Sequence, residues 1–378
     1  MSELPKRTML KSSRNRVTLC LESNKPIRPS IMKPRSHLAS RRVAIFSNKS
    51  VHYAADTCAP LSIAVAKGEV SLHALAHGAY PGRLLPSGML TGVSSVGYWN
   101  ATYPQNWGLD WHRNEGIEIT FLEQGLLSFG IADESIDLKP GMLTVTRPWQ
   151  PHRVGNPNVK ASRLHWLILD LDVRRPNQPW RWPPWLTLAP EDLRNLTQLL
   201  RQNEHATWLA DHEIRDCWRR IACAVDVENV ASMHSRLRVA INELLLLLAE
   251  MLTRDQPKLD PSLTSSERTV ELFLTELQHN AAQRCRSWTI LEMSECCGLG
   301  VTHFVNLCRQ ITNRTPAQYL LWCRLEAARE MLTQQPTIPV TEVAFACGFS
   351  SSQYFSTAFR REIGTSPMSI RHALDARP

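Results

Sequence analysis

The chain has ten cysteines but lacks any C-x-x-C pair. Structural zinc sites and redox-active disulfides commonly use such closely spaced pairs, so their absence argues against both. Half of the cysteines lie inside apolar helical patterns, namely Cys296, Cys297, Cys308, Cys323 and Cys347. Cysteine behaves there as a small hydrophobic residue. We therefore predict buried, reduced thiols in a cytoplasmic protein.

The sequence also lacks a long hydrophobic run. The longest apolar stretch, "LLLLLAEML" at residues 244–252, contains Glu250 and is far shorter than the ~20 residues of a membrane-spanning helix. The basic N-terminal region has no apolar segment of the kind found in secretory signals. We expect neither export nor a membrane partner.

Lysine is absent from residue 262 onward, where eleven arginines face ten acidic residues. The formal net charge of +8 comes instead from residues 1–49, which carry twelve basic residues and two acidic ones. We predict that residues 1–68 form a basic, disordered leader. A nucleic-acid-binding arm, a transit-like peptide and a tail without function all remain open for this leader.

Residues 69–186 are predicted to form an antiparallel β-barrel or sandwich. Short alternations of apolar and polar residues, separated by Gly, Asp and Pro, occupy 117–125, 126–134, 135–141 and 142–148, and a longer one covers 163–173. The segment 174–186 follows, with prolines that exclude regular structure and three tryptophans that are costly to expose. We expect this segment to pack over the barrel.

Residues 187–252 change to a helical period, which predicts helices at 190–204, around 212–225 and at 235–252. The last helix has an apolar stripe consisting of Leu237, Ile241, Leu244, Leu245, Leu248 and Leu252, widened by Leu246 and Leu247. Packing against the barrel and a homodimer interface both fit this stripe. Residues 253–265 are polar and contain proline, which is typical of a linker.

Residues 266–378 contain a repeated helix-turn-helix pattern. Cys297 and Gly298 of the first copy match Cys347 and Gly348 of the second at an offset of 50. A glycine after a short helix favours a left-handed turn. The second helix of each copy has one apolar and one polar face, and the segment 316–336 between them predicts a single joining helix.

The polar faces predict DNA recognition. A recognition helix needs hydrogen-bonding side chains near its N-terminal end for base edges and cations for phosphates. The expected base-reading residues are Thr302, His303, Asn306, Ser352, Gln353, Ser356 and Thr357. The expected phosphate contacts are Arg309, Arg360 and Arg361. A rigid joining helix would place the two units in successive major grooves, about 34 Å apart.

The segment "RLEAAREMLTQQPTIPVTEVAFACGFSSSQYFSTAFRREIGTSP" resembles the AraC/XylS family of bacterial transcription regulators. The resemblance covers roughly residues 266–372 and includes both units, the joining helix and both Ser/Thr-Pro ends. Four positions depart from the family pattern: Gly300 and Pro339 replace usual helix caps, and Asn306 and Thr357 stand where arginine is frequent. These departures affect base reading rather than the fold.

The barrel segment resembles a cupin. "WHRNEGIEITFLEQG" supplies His112, Glu118 and Gly125, with Asn114 in place of the second histidine of the first cupin motif, and "GMLTVTRPWQPHRVGN" is similar to the second motif. The resemblance implies a small polar effector, such as a sugar. The expected effector-binding residues are His112, Glu118, Arg147, Trp149, His152 and Arg153. His112, Glu118 and His152 could alternatively hold a divalent transition metal.

The sequence therefore predicts an α+β multidomain protein, with a cupin-like sensor barrel followed by an all-α domain of two helix-turn-helix units. Its expected partners are double-stranded DNA, a small effector and a second copy of the chain, with RNA polymerase as a further candidate. We predict no cofactor and no resident metal. An effector-independent regulator and a metal-dependent cupin enzyme remain the alternatives.

Overall fold

The computed structural model describes residues 58–375 except Ala79, Asp133 and Pro336, so most of the predicted leader lies outside the described residues. The strands are β1 Ser71–Ala76, β2 Arg83–Leu84, β3 Val93–Ala101, β4 Leu109–His112, β5 Ile117–Gly125, β6 Leu127–Ile131, β7 Glu134–Leu138, β8 Met142–Thr146, β9 His152–Val154, β10 Ser162–Leu169 and β11 Thr207–Leu209.

Twelve α-helices are described. They are α1 Ala59–Ala66, α2 Pro190–Arg201, α3 His212–Val225, α4 Val230–Asp255, α5 Ser266–His279, α6 Ala281–Cys285, α7 Ile290–Cys296, α8 Val301–Thr312, α9 Pro316–Gln334, α10 Val340–Ala346, α11 Ser352–Ile363 and α12 Pro367–Asp375. The architecture is α+β, with the strands before the helix-turn-helix helices, as the sequence predicts.

The strands form two sheets rather than a closed barrel. One sheet has seven strands in the order β11-β8-β5-β10-β3-β1-β2, and the other has four in the order β4-β9-β6-β7. Their pairing is antiparallel except for the short parallel contact between β1 and β2. A buried cluster that includes Leu122, Phe129 and Trp166 fills the space between the sheets. Of the two forms that the sequence predicts, barrel or sandwich, the structure shows a jelly-roll-like sandwich.

Helices α2, α3 and α4 cover the other face of the seven-stranded sheet. All six residues of the predicted apolar stripe on α4 are buried there, while Leu246 remains 39% exposed and Leu247 half-buried. Trp185 joins the same cluster and donates its indole N–H to the Thr91 carbonyl at 2.8 Å. The stripe is thus used within the chain, and the segment 174–186 packs where the sheet meets these helices.

Two boundaries predicted from the sequence are wrong. Helix α1 lies inside the predicted disordered leader, yet Leu61 and Ala64 are buried against the sandwich. Strand β11 lies inside the predicted helical segment and adds an edge to the seven-stranded sheet beside β8. Both elements are short and depend on tertiary packing, so neither carries a strong local pattern.

The C-terminal helices form two clusters that share α9. The first half of α9 contributes Tyr319 and Cys323 to a cluster with α5, α7 and α8. The second half contributes Ala328 and Leu332 to a cluster with α10 and α11. Because one continuous helix enters both cores, it connects the two helix-turn-helix units rigidly, as the sequence predicts.

The described cysteines behave largely as predicted. Cys297, Cys308, Cys323 and Cys347 are buried and Cys296 is half-buried. Burial raises the pKa of the Cys323 thiol to about 12 and that of Cys347 to about 11, which keeps both thiols protonated at neutral pH. Among the described residues, no helix is long and apolar enough to cross a membrane.

Candidate functional site

Both helix-turn-helix units turn through a left-handed glycine. Gly298 has a φ of 64° and Gly348 a φ of 84°, a region that L side chains rarely adopt. Helix α7 begins with a capping box, in which Thr289 and Glu292 exchange side-chain and backbone hydrogen bonds. The two turns therefore have the geometry that the repeated sequence predicts.

Helix α8 presents its polar face to solvent. Thr302, His303 and Asn306 are exposed, as is Arg309 one turn further along. Phe304 and Cys308 on the opposite face are fully buried. Gly300 caps helix α8 without a side-chain hydrogen bond, so no cap side chain satisfies the first N–H groups of this helix. The structure thus places all four predicted residues of the first unit on one accessible face.

Helix α11 has a similar exposed face with more internal bonding. Gln353, Arg360 and Arg361 are exposed. Ser352 is half-buried, and its carbonyl accepts a hydrogen bond from the Ser356 hydroxyl at 2.9 Å. The exposed Thr357 donates in the same way to the Gln353 carbonyl at 3.1 Å. These hydroxyls keep their lone pairs and can still accept hydrogen bonds.

A cleft beside α11 includes residues that the sequence reasoning missed. It is lined by Ser356, Thr357, Arg360 and Arg361 together with the Ser366-Pro367 start of α12. Tyr354, 54% exposed on α11, was also not predicted. From the sequence, the Ser366-Pro367 pair marks the end of the second unit. In the structure it begins helix α12.

The two units are held by different neighbours. The loop after β10 reaches the first unit, where Asn177 Nδ2 donates to the Cys297 carbonyl at 3.0 Å and Asn177 N donates to the Thr269 hydroxyl at 3.2 Å. The Arg175 guanidinium packs directly against Gly298. The turn at Gly348 instead packs against Cys285 of its own domain. The sensor domain therefore contacts the first turn directly.

Three of the predicted effector residues meet between the two sheets. Glu118 comes from β5 of the seven-stranded sheet, and His112 and His152 face each other across β4 and β9 of the four-stranded sheet. Glu118 Oε2 lies 2.7 Å from His152 Nε2 and 2.5 Å from Asn114 Nδ2. From the sequence, Asn114 is only a departure from the cupin motif. In the structure its amide donates to Glu118 and is the fourth member of this group.

Hydrogen bonding fixes the charges of this group. His152 Nδ1 lies 2.9 Å from the Gln150 carbonyl, which can only accept, so this nitrogen carries a proton. Its Nε2 faces the Glu118 carboxylate, which is also an acceptor when ionised. Burial alone would raise the pKa of Glu118, but the charge and hydrogen bond of His152, followed by His112 and Asn114, outweigh it and lower that pKa. The lowered pKa favours an ionised Glu118 carboxylate that accepts a hydrogen bond from His152 Nε2.

The walls of this pocket are mostly apolar. Trp99 and Trp166 line one side, and their indole N–H groups donate to Ser162 and Ser95. Leu61 of α1 lines another side, so the unpredicted helix contributes to the pocket. An apolar pocket with a few fixed polar groups is the usual form of a small-molecule site.

The other three predicted effector residues lie elsewhere. Side chains alternate along β9, so Arg153 points away from its neighbour His152 and stacks over Trp111 at 5.2 Å. Trp149 is buried and donates its indole N–H to the Val173 carbonyl at 2.7 Å. Arg147 pairs with Glu204 at 3.1 Å. These three residues are therefore not among those that line the pocket of His112 and Glu118, and their role in effector binding stays a prediction.

The chemistry of the three grouped residues also fits a metal ion. His112, Glu118 and His152 each offer one ligand atom, and these atoms lie within 4.8 Å of one another. Two imidazoles and one carboxylate suit a divalent transition metal. Glu118 and His152 already bond to each other, however, and His152 would have to lose the proton that Nε2 donates to Glu118 before it could bind a metal.

Comparisons with known proteins agree with both parts of this picture. A family profile described as a helix-turn-helix domain matches residues 293–373, and one described as a cupin domain matches residues 99–168. The transcriptional activator RhaS of Escherichia coli is 30% identical over 190 residues. These matches agree with the resemblance to the AraC/XylS family. The match to RhaS covers 48% of this chain and 65% of RhaS, so it spans less than two thirds of that relative.

Two solved structures are also similar to parts of this chain. A transcriptional regulator with an AraC-type domain from Chromobacterium violaceum is 28% identical, covers 28% of the chain and 90% of its own, and has a TM-score of 0.25. Apo ToxT from Vibrio cholerae is 11% identical, covers 75% of the chain and 98% of its own, and has a TM-score of 0.31.

Proposed function

We propose that the protein is a sequence-specific DNA-binding transcription regulator that acts in the cytoplasm. The observation that carries this proposal is the pair of exposed polar faces on α8 and α11, joined by one continuous helix. Each face follows a left-handed glycine turn and ends in arginine. RhaS, which is similar over about half of this chain, is itself named a transcriptional activator.

The modest net charge of the C-terminal domain shapes how it would bind. With eleven arginines against ten acids from residue 262 onward, counterion release gives little affinity for arbitrary DNA. Base contacts and a second copy of the chain would then supply most of the specificity. RNA polymerase would be the partner through which a bound regulator changes transcription.

The cupin pocket would bind a small polar effector. The Glu118 and His152 pair offers fixed charges, Asn114 offers an amide, and the tryptophans offer flat apolar surfaces. A sugar matches this combination, because its hydroxyl groups can bond to the charged end while its C–H faces pack on the rings. Binding would shift the population of chain geometries that fit paired DNA sites.

The DNA part is tested by selecting bound sequences from a random duplex pool with the full chain. We expect a bipartite site whose halves lie about one helical turn apart, the spacing that two rigidly joined recognition helices require. Replacing both Gln353 and Asn306 with alanine should change or erase the selected sequence while the protein stays folded. Enrichment of the same sequence by this double variant, or of none by the natural chain, contradicts the proposal.

The metal-dependent cupin enzyme is the second candidate, favoured by the group His112, Glu118 and His152. The two functions separate in one measurement of metal content on purified protein. Stoichiometric iron, manganese or zinc that is lost in the His112→Ala and His152→Ala double variant would favour the enzyme. The regulator predicts substoichiometric metal and, among tested sugars, one that raises the melting temperature of the natural chain but not of Glu118→Gln.

A further inference from the structure

A second cleft lies where the sensor domain meets the first helix of the C-terminal domain. Its sensor side is formed by Arg113 and the segment 147–151, and its other side by Leu263, Arg268 and Leu272. Ligand sites in proteins favour such places between domains. This cleft is separate from the cupin pocket, whose lining includes His112 and Asn114 but not Arg113.

The described lining of the cleft has a net positive charge, although Arg268 also pairs with Glu271 at 3.4 Å. Three of its described lining residues are arginines, namely Arg113, Arg147 and Arg268, and one, Glu204, is acidic. Arg147 is largely buried, and its Nε has no hydrogen-bond partner among the residues that the structure describes. Burial lowers the pKa of Arg147, although the nearby Glu204 counteracts this effect. A buried cation in this setting favours the approach of an anion.

The acidic partner of Arg147 is easily displaced. Glu204 binds Arg147 NH2 through one oxygen at 3.1 Å, and the Glu204 side chain is 66% exposed, whereas that of Arg147 is 19% exposed. A contact through one oxygen of a mostly exposed carboxylate is weaker than a bidentate pair. An external carboxylate or phosphate could replace it and leave Glu204 solvated.

The remaining lining suits an organic molecule. Pro148, Pro151, Pro176, Leu263 and Leu272 contribute apolar surface around the arginines.

The loop that contains Trp149 connects this cleft to the cupin pocket, and the Trp149 backbone is strained. Trp149, which lines it, has a φ of 63°, a conformation that costs energy for a bulky residue and is concentrated at functional sites. Its backbone N–H donates to the carbonyl of Asn114, the residue that binds Glu118 in the other pocket. One loop therefore borders both cavities.

We propose that this cleft binds a small organic anion, with its carboxylate or phosphate between Arg147 of the sensor domain and Arg268 of α5. The ligand displaces Glu204 and packs its apolar part on the prolines and leucines. Because it touches both domains, it stabilises their contact. The proposal does not depend on DNA binding, since it is tested on the protein alone.

The test uses three probes that separate charge from apolar body: phenylacetate, its neutral amide phenylacetamide, and inorganic phosphate. Binding to the full chain is measured by calorimetry and by the shift in melting temperature at constant ionic strength, up to about 10 mM, where even a millimolar site fills. We expect phenylacetate to bind most tightly, phosphate to bind more weakly, and phenylacetamide not to bind.

Variants then locate the site. Arg268→Gln should weaken phenylacetate binding at least about tenfold, because a charged hydrogen bond is lost. The matched control is Arg219→Gln, since Arg219 is also an exposed helix arginine paired with an acid three residues away, but on α3. Glu204→Gln should tighten binding, because Arg147 loses its internal partner. Arg268 and Glu204 are both exposed, so these variants are expected to fold.

Three results would overturn the proposal. The first is that neither anion binds. The second is that phenylacetamide binds as well as phenylacetate, which would mean that charge is not recognised. The third is that Arg268→Gln and Arg219→Gln lose affinity equally, which would indicate a general effect of surface charge.

Discussion

The two helix-turn-helix units are copies in sequence but differ in what surrounds them. The first unit has its turn at Gly298, against the Arg175 guanidinium of the sensor domain, and the second has its turn at Gly348, against the Cys285 backbone. One turn therefore meets a side chain that can move, and the other meets main chain that cannot. The difference suggests that the sensor domain can change the position of the first unit, whereas the second unit keeps its position.

The two units differ in which helix has a side-chain cap. In the first unit the leading helix has the Thr289 capping box, and the recognition helix begins at Gly300 without a side-chain cap. In the second unit the leading helix begins at Pro339 without a cap, and Ser351 caps the recognition helix. Since a cap contributes about 1 kcal/mol, the second recognition helix should hold its first turn more firmly.

The largest expected effect separates the two turns. Gly348→Ala should destabilise the protein by about 3 kcal/mol, because a left-handed alanine is strained and its Cβ would lie 2.7 Å from the Cys285 Cα. Gly298→Ala should cost about 1–2 kcal/mol, because the Arg175 side chain can move aside. Urea unfolding of both variants measures this. Equal losses would show that the surroundings of the two turns are equivalent.

Base recognition should also differ between the units. Gln353→Ala should change the preferred base in one half of the DNA site, with a discrimination loss of about 1–3 kcal/mol. Asn306→Ala should do the same for the other half, because each residue lies on the exposed face of its own helix. Binding to single-base variants of the selected site locates each effect. If both variants alter the same half-site, the assignment of one unit to one half is wrong.

Phosphate binding should be weaker at the first unit. The second unit presents Arg360 and Arg361, whereas the first presents Arg309 followed by Gln310. Arg360→Ala should weaken binding to all sequences alike and flatten the salt dependence by about one, the contribution of one phosphate contact. Arg309→Ala should do so to a similar extent. The first unit then has no arginine at this position, whereas the second unit of Arg360→Ala still has Arg361. A sequence-dependent loss in either variant would make that arginine a base reader.

The smallest effect tests the contact with the sensor domain. Asn177→Ala removes the side-chain hydrogen bond to the Cys297 carbonyl and should cost about 1 kcal/mol. Its effect on DNA should be confined to the half-site that Asn306 reads. The control is Asn195→Ala, which removes a hydrogen bond between α2 and α4 within the sensor domain. An equal change in DNA binding by the control would deny Asn177 a specific role.

Local patterns predicted the C-terminal domain better than the sensor site. The glycine turns, the Thr289 cap and the joining helix depend on residues within a few positions of one another, so the sequence carries them directly. The effector residues depend on which side of a strand faces inward and on which sheet each strand joins. His152 and Arg153 are adjacent in sequence, yet one bonds to Glu118 and the other stacks on Trp111.

The sequence by itself determined the order of the domains, the repeated unit and the polar faces of its recognition helices, because helical period and turn chemistry are local properties. Tertiary structure alone decided that α1 and β11 belong to the sandwich and that Asn114 completes the pocket. It also decided that Asn177 reaches the first turn, 120 residues away. These contacts join distant segments, and only the packing of two sheets and two domains brings them together.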